Sequence, residues 1–495
     1  MHKIILIVGL FLAGKIVAQE QSLFKETYRP QYHFSPAKNW TNDPNGLVYS
    51  NGLYHLFFQH NPFGNEWGHM SWGHATSKDL VHWKELPVAI AEENGVAIFS
   101  GSAVVDIKNS TGFSSDSNKQ SLIAIYTAHT ETLQTQALAY SNDEGLTWKK
   151  YAGNPVLDLH KKDFRDPNVF WYEKSKQWVM AVSQPNEHQI SFFASTNLKE
   201  WKLLSNFGPA GDISGVWECP DLMQVPIVGE PGKKKWVLFT SQNSTMQYFV
   251  GEFDGTKFLE DKPQTKIHKQ DYGTDYYAAV TYHNSPDKQP ISIGWVNNWE
   301  YANSIPTKPW KSAMSLPRKL SVKKQGDDWI LVQQPMIALE NLRLKKESIS
   351  NSIVSKEIQL KQKGNCFEMK LDLIPSKNAI GGIKLAVGNG HYFEIGYDGT
   401  KEKLYIDRTN TNRSFNTKYA SINRKEAEII TKDGKIQLDI YFDESIVEIY
   451  AGDGTVVFTA QVFPENSENG VSFFSYGSEI KFENIQYWKM KSSWF

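Results

Sequence analysis

The sequence predicts an all-β chain, a five-bladed β-propeller followed by a C-terminal β-sandwich. Three observations carry this. The chain holds 16 Trp, 22 Tyr and 27 Phe, and aromatic residues favour pleated, half-buried strands. Between Tyr28 and Gln334 short apolar runs alternate with Gly, Asn and Asp turns, without helical periodicity. Two motifs also recur along this stretch at the spacing of propeller blades.

The first motif is a Ser-initiated polar turn closed by Trp: Ser77 to Trp83, Ser141 to Trp148 and Ser195 to Trp201. Its tryptophans are expected to serve blade packing. The second is a polar residue and Pro opening a hairpin, in "NDPNGLVYS", "RDPNVFWY" and "ECPDLMQVP". Pro167 and Pro220 are one repeat apart, while Pro44 and Pro167 are two apart. A copy without Pro is therefore expected near position 100, in "FSGSAVVD", and a further one from Asp275, in "DYYAAVTY". Five units of about 55–65 residues result.

In chain order, residues 1–18 read as a secretory signal. Lys3 supplies the charge, Ile4 to Gly14 the apolar core, and Ala18 the small residue before cleavage. A secreted or periplasmic protein is expected, and no later stretch reads as a membrane span. Residues 25–335 form the propeller, 336–348 a partly helical linker, and 349–495 the sandwich. The sandwich carries no evident acidic constellation or aromatic platform and reads as a brace. Cys219 and Cys366 read as free thiols. No signal of oligomeric state is legible.

With Lys+Arg 53 against Asp+Glu 54 the net charge is −1, so there is no basic surplus for a nucleic-acid partner. No dense oxygen-ligand loop for calcium stands out, and the His55/His60 and His69/His74 pairs lack zinc spacing. Neither metal nor cofactor is expected.

The second motif points to the chemistry. Innermost strands of a propeller line one channel, so residues opening them converge at one mouth. Asp43, Asp166 and Glu218 occupy nearly equivalent positions there, Glu218 being offset by one residue relative to its Pro. Two carboxylates across a polar, aromatic pocket suit glycoside hydrolysis, one as proton donor and the other ionised. Crowding such acids raises at least one pKa. Trp40, Trp67, Trp72, Trp217 and Trp299 are candidate sugar-stacking faces, and Asn42 and Gln59 candidate partners of hydroxyls.

Taken together, "NWTNDPNG", "FSGS", "FRDPNV" and "WECPDL", in this order, resemble glycoside hydrolase family 32, the invertases, inulinases and levanases. The resemblance runs from about Tyr28 to the C-terminus and implies a β-fructosidase acting on fructan or sucrose. It implies Asp43 as nucleophile, Glu218 as general acid/base and Asp166 as transition-state stabiliser. Arg165 would orient the acids. Asn42, Gln59, Trp67, Phe99, Ser100 and Trp299 match the fructose pocket. Net retention is implied, with Asp43 and Glu218 carboxyls about 5–5.5 Å apart. Thr41 departs from the Met or Ile of many relatives. A fructosyltransferase would use the same carboxylates, whereas a non-catalytic binding propeller would lack at least one. Exo-action is expected; the choice between β-2,1 and β-2,6 linkages is not legible.

Overall fold

The computed structural model describes residues 23–116, 120–262, 266–411 and 415–494. The secretory segment at 1–18 lies outside the described residues.

Five antiparallel sheets form the propeller, and the inner strand of each leads its blade. These inner strands are Asn39–Ser50 in blade I, Ala97–Asp106 in blade II, Arg165–Tyr172 in blade III, Glu218–Pro226 in blade IV and Tyr277–Thr281 in blade V. The copies expected near position 100 and after Asp275 are thus the inner strands of blades II and V. Each inner strand contacts the next, and that of blade V contacts that of blade I. The ring is closed by backbone pairing. Asn39 and Trp40 pair in parallel with Trp310 and Lys311, and Val48 bridges His283.

Apolar side chains from adjacent sheets fill the gaps between blades. Val48, Phe57 and Trp72 meet Ala103 and Ala124 between blades I and II. Ile123 and Leu138 meet Val169 and Met180 between II and III. Similar clusters follow between III and IV, IV and V, and V and I. Burial of these side chains, ~1.5–3 kcal/mol each, is the main force holding blade to blade.

The Ser…Trp repeat is the turn between the third and fourth strands of blades I to III. In blade I the Ser77 hydroxyl accepts from the Asp79 and Leu80 amides, and Asp79 accepts from Val81 and His82. Ser141/Asp143 and Ser195/Asn197 repeat this pattern. Side-chain acceptors here replace ladder partners. Trp83, Trp148 and Trp201 pack against the inter-blade clusters, as expected of blade packing.

Residues 336–348 hold a 3-10 turn at Ile337–Leu342 and then a strand, Arg343–Ser348. That strand pairs with Ile480–Met490, so half of the segment read as a linker is built into the sandwich. A seven-stranded and a six-stranded sheet face each other there across a continuous apolar core. Cys366 lies in the sandwich and Cys219 in the propeller, both as free thiols. Among the described residues no helix is long and apolar enough to cross a membrane.

The two domains dock backbone to backbone. A Cβ on Gly273 would lie 2.0 Å from the Thr459 carbonyl oxygen, and one on Gly454 2.0 Å from that of Gln333. Buried ions complete the interface. Arg318 pairs with Asp271 and Glu448, and His33 with Asp443 and Glu448.

Candidate active site

Every inner strand opens with a register shift in which two residues oppose one. In blade I, Asn42 and Asp43 face Gln59, and in blade II Phe99 and Ser100 face Thr127. Asp166 and Pro167 do so in blade III, Cys219 and Pro220 in blade IV, and Ala278 and Ala279 in blade V. A bulge suspends strict side-chain alternation and re-aims its residues. Asp166, Cys219 and Ala278 accept positive φ values of 66°, 47° and 54° there.

This register revises the expected equivalence of the three acids. Glu218 stands just before its bulge, level with Arg165 and Tyr277. Asp166 is the first bulged residue of its strand, level with Cys219, and Asp43 is the second of its own. They occupy successive positions, not one repeated position. Glu218 is offset from its Pro for this reason.

Level residues from neighbouring blades touch. Arg165 Nε donates to Glu218 Oε1 at 3.0 Å, and Tyr277 donates to Glu218 Oε2 at 2.6 Å. Glu218 is thus gripped at both oxygens, by a cation on one side and a phenol on the other. Arg165 is itself held by Asp163 at 2.9 Å and Gln134 at 3.3 Å. The bulge lets Arg165 and Asp166 serve the same cluster although they are adjacent in the strand.

Asp43 is surrounded by neutral donors. Ser100 Oγ donates at 2.7 Å, Asn42 Nδ2 at 3.1 Å and Cys219 Sγ at 3.6 Å. Asn42 is fixed in turn by the Trp40 indole at 2.7 Å. Asp166 accepts from the Cys219 amide at 2.9 Å and lies 3.6 Å from its thiol. Cys219 therefore sits between Asp43 and Asp166.

Burial dominates the electrostatics. It raises the Asp43 pKa, with Glu218 adding to the rise and the Ser100 and Asn42 hydrogen bonds opposing it. For Asp166, burial and the charges of Glu218 and Asp43 outweigh Arg165 and push the pKa up to about 7. Burial and the neighbouring acids also hold the Cys219 thiol protonated, well above its usual range. It has no activating base and is a donor rather than a nucleophile.

The tryptophans divide sharply. Trp40, Trp72 and Trp217 are each 0% exposed and pack within the protein, so they are not stacking faces. A ring on a bulged strand can turn either way, which the sequence alone does not show. Trp67 and Trp299 are 46% and 39% exposed, with Trp299 stacked on Trp40 at a centroid distance of 6.0 Å. Phe99, on the inner strand of blade II, is half-buried, stacked on His129 with ring centroids 4.1 Å apart and 6.2 Å from Trp67. Gln59 is buried and donates to the Ile98 carbonyl at 3.0 Å, linking blades I and II beneath the pocket.

Two family models cover nearly the whole described chain: the N-terminal domain of the glycosyl hydrolases family 32 over residues 33–335, and its C-terminal domain over 338–489. The chain belongs to this family. It is similar to a levanase of Bacillus subtilis (strain 168), 43% identical across 98% of this chain and 74% of that protein. It is also similar to an extracellular exo-inulinase of Aspergillus ficuum, 39% identical across 95% of this chain and 96% of the relative. The crystal structure of an exo-inulinase from Aspergillus awamori superposes with a TM-score of 0.89 at 37% identity, covering 95% of this chain and all of that one. The family 32 chain described here is accordingly a glycoside hydrolase with a five-bladed propeller and a β-sandwich.

Sequence reasoning did not single out Tyr277, Asp163 or His129. Tyr277 had a findable signal, since it precedes the blade V bulge as Arg165 and Glu218 precede theirs. Ala278-Ala279 stand where blades III and IV carry a proline, which concealed it.

Proposed function

We propose that the protein is an exported, retaining, exo-acting β-fructosidase that releases fructose from levan, inulin or sucrose. One observation carries the reading. Asp43 is buried among neutral donors, while Glu218 is held between Arg165 and Tyr277. The two carboxylates thus have different environments, as different roles require.

In this mechanism Asp43 attacks the anomeric C2 of the terminal fructosyl unit. The C2–oxygen bond to the leaving sugar breaks, and Glu218 delivers its proton to that oxygen. Glu218 then takes a proton from water, the water oxygen bonds to C2, and the ester to Asp43 is released. Ser100 and Asn42 hold the nucleophile in line, and Asp166 receives fructose hydroxyls below the ring. Trp67, Phe99 and Trp299 form the apolar mouth. The levanase and exo-inulinase names of the relatives support fructans as substrates. The word extracellular in one of them and the apolar segment after Lys3 support export.

The test is fructose release from purified levan, inulin and sucrose by wild type, Asp43→Asn and Glu218→Gln, with the first anomer followed by NMR. Free fructose of retained configuration from wild type, and losses of at least ~1,000-fold in both variants, are expected. Undiminished release by Asp43→Asn would overturn the nucleophile assignment. Inversion would overturn the two-step mechanism, and chain-extended products in place of fructose would make the enzyme a fructosyltransferase.

A further inference from the structure

The sandwich reaches the active site through one arginine. Arg408 follows the sandwich strand Lys403–Asp407, yet its guanidinium meets two propeller residues. Nη1 lies 3.2 Å from Asp275 Oδ2, and Nη2 donates to the Tyr301 hydroxyl at 2.9 Å. Tyr301 passes its own proton to Asp275 Oδ1 at 2.6 Å, closing a triangle. Arg408 and Asp275 are 0% exposed and Tyr301 2%. The guanidinium also donates to the Ile422 carbonyl at 2.6 Å and lies 3.9 Å over the Tyr419 ring. A buried charge with this many partners is fixed in place, and removing one partner is costly.

Both propeller ends of the triangle lead to the catalytic pocket. Asp275 stands two residues before Tyr277, the phenol on Glu218. Its segment is pinned to the sandwich, because the Thr274 and Asp275 amides donate to the Thr459 carbonyl at 2.9 and 3.1 Å. The Gln461 amide adds a bond to Asp275 Oδ2 at 2.9 Å. Tyr301 stands two residues after Trp299, and Asn298 donates to the Thr274 carbonyl at 2.7 Å. The same loop reaches across the mouth, where Asn303 Oδ1 accepts from the Trp67 amide at 3.1 Å. One buried cation thus clamps the strand that carries Tyr277 and the loop that carries or contacts both exposed tryptophans.

We infer that Arg408 is a positioning residue for hydrolysis, setting Tyr277 against Glu218 through Asp275 and the Trp299 rim through Tyr301. The sandwich is then part of the active-site framework rather than only a brace. The inference rests on the roles proposed above for Glu218 and Trp299.

The experiment compares Arg408→Met, Arg408→Lys and Tyr301→Phe in the full chain, measuring kcat, KM and Tm on sucrose and inulin. His33→Gln, which breaks a different contact between the domains, is the control for stability alone. Loss of registry at the reacting groups lowers rate steeply, so Arg408→Met should lower kcat about tenfold and raise KM about tenfold. Tyr301→Phe frees the rim loop while Asp275 keeps Arg408 and the Gln461 amide, and should raise KM severalfold with kcat within about twofold of wild type. Arg408→Lys should recover part of the loss, and His33→Gln should lower Tm alone. Should Arg408→Met fail to fold, the KM-against-kcat split in Tyr301→Phe still decides. Variants that lower Tm while kcat and KM stay within about twofold would overturn the inference. Retained activity in Asp43→Asn would instead overturn the reading it rests on, which separates the two failures.

Discussion

Replacing Asp166 with Asn removes a negative charge from the floor of the funnel with little change of shape. Asn tolerates positive φ better than most residues, so the 66° value at this position is retained. Its side-chain oxygen can still accept from the Cys219 amide. In the folded protein the Asp166 pKa stands at about 7 against an ordinary 3.8. Because the folded value is raised, folding favours the protonated carboxyl. Wild type carries no penalty well below the unfolded value; the penalty grows as pH climbs toward 7 and levels off above it. At ~1.4 kcal/mol per pKa unit, the ceiling is about 4 kcal/mol. A cooperative unit of roughly 300 residues gains ~1–2 °C in Tm per kcal/mol. Asp166→Asn should therefore match wild type near pH 4 and melt several degrees higher at pH 8, while losing fructose release. Scanning calorimetry of both proteins across that range is the assay. A Tm difference that is flat with pH, or a variant less stable at pH 8 than wild type, would refute the reasoning.

Other predictions follow from the same contacts. Tyr277→Phe removes the hydrogen bond to Glu218 and should lower kcat by roughly 10–100-fold without unfolding the protein, as steady-state kinetics and Tm will show. Burial alone would lower the His33 pKa, but Asp443 and Glu448 raise it to about 9. The resulting stability is full below the unfolded value near 6.5 and fades as pH rises through 9; thermal melts of wild type and His33→Gln should converge above that pH. Cys219, buried with its thiol held protonated, should resist thiol reagents until the propeller unfolds, so labelling of native protein at Cys219, read by mass spectrometry, would contradict this placement. Gly273→Ala places a methyl against the Thr459 backbone and should destabilise the domain interface by more than 1 kcal/mol (about 1–3), read as a lowered Tm.

The blades were legible in sequence because their turns are local. Ser77 and Asp79 make their turn within a few residues, and the same chemistry recurs at Ser141 and Ser195. Asp43, Asp166 and Glu218 were legible because proline marks their strands. Their mutual register was not, since it depends on which residue of each bulge faces the axis. Trp40 and Trp217 looked like pocket walls by adjacency to the acids, yet the side on which a ring falls is decided by packing against the next blade. Arg408 had no sequence signal at all. Its partners lie 133 and 107 positions away, on a different domain, and only the docking of the two domains brings them together. Within segment 336–348 the strand Arg343–Ser348 was not legible either, because a strand that pairs with the last strand of the chain shows no local hairpin.

The repeated bulge also separates the fold of this molecule from its chemistry. Each blade offers consecutive side-chain slots at the channel mouth, and the backbone is satisfied there whether the slot holds an acid, a thiol, a phenol or a methyl. Blade V fills its bulge with two alanines and blade II with phenylalanine and serine, yet the ring closes all the same. Reactivity can therefore be moved from blade to blade, or erased, by single substitutions that shift the stability of the ring without preventing its closure. A designer seeking a new reaction on this scaffold would edit that ring of slots and leave the apolar clusters between the blades alone.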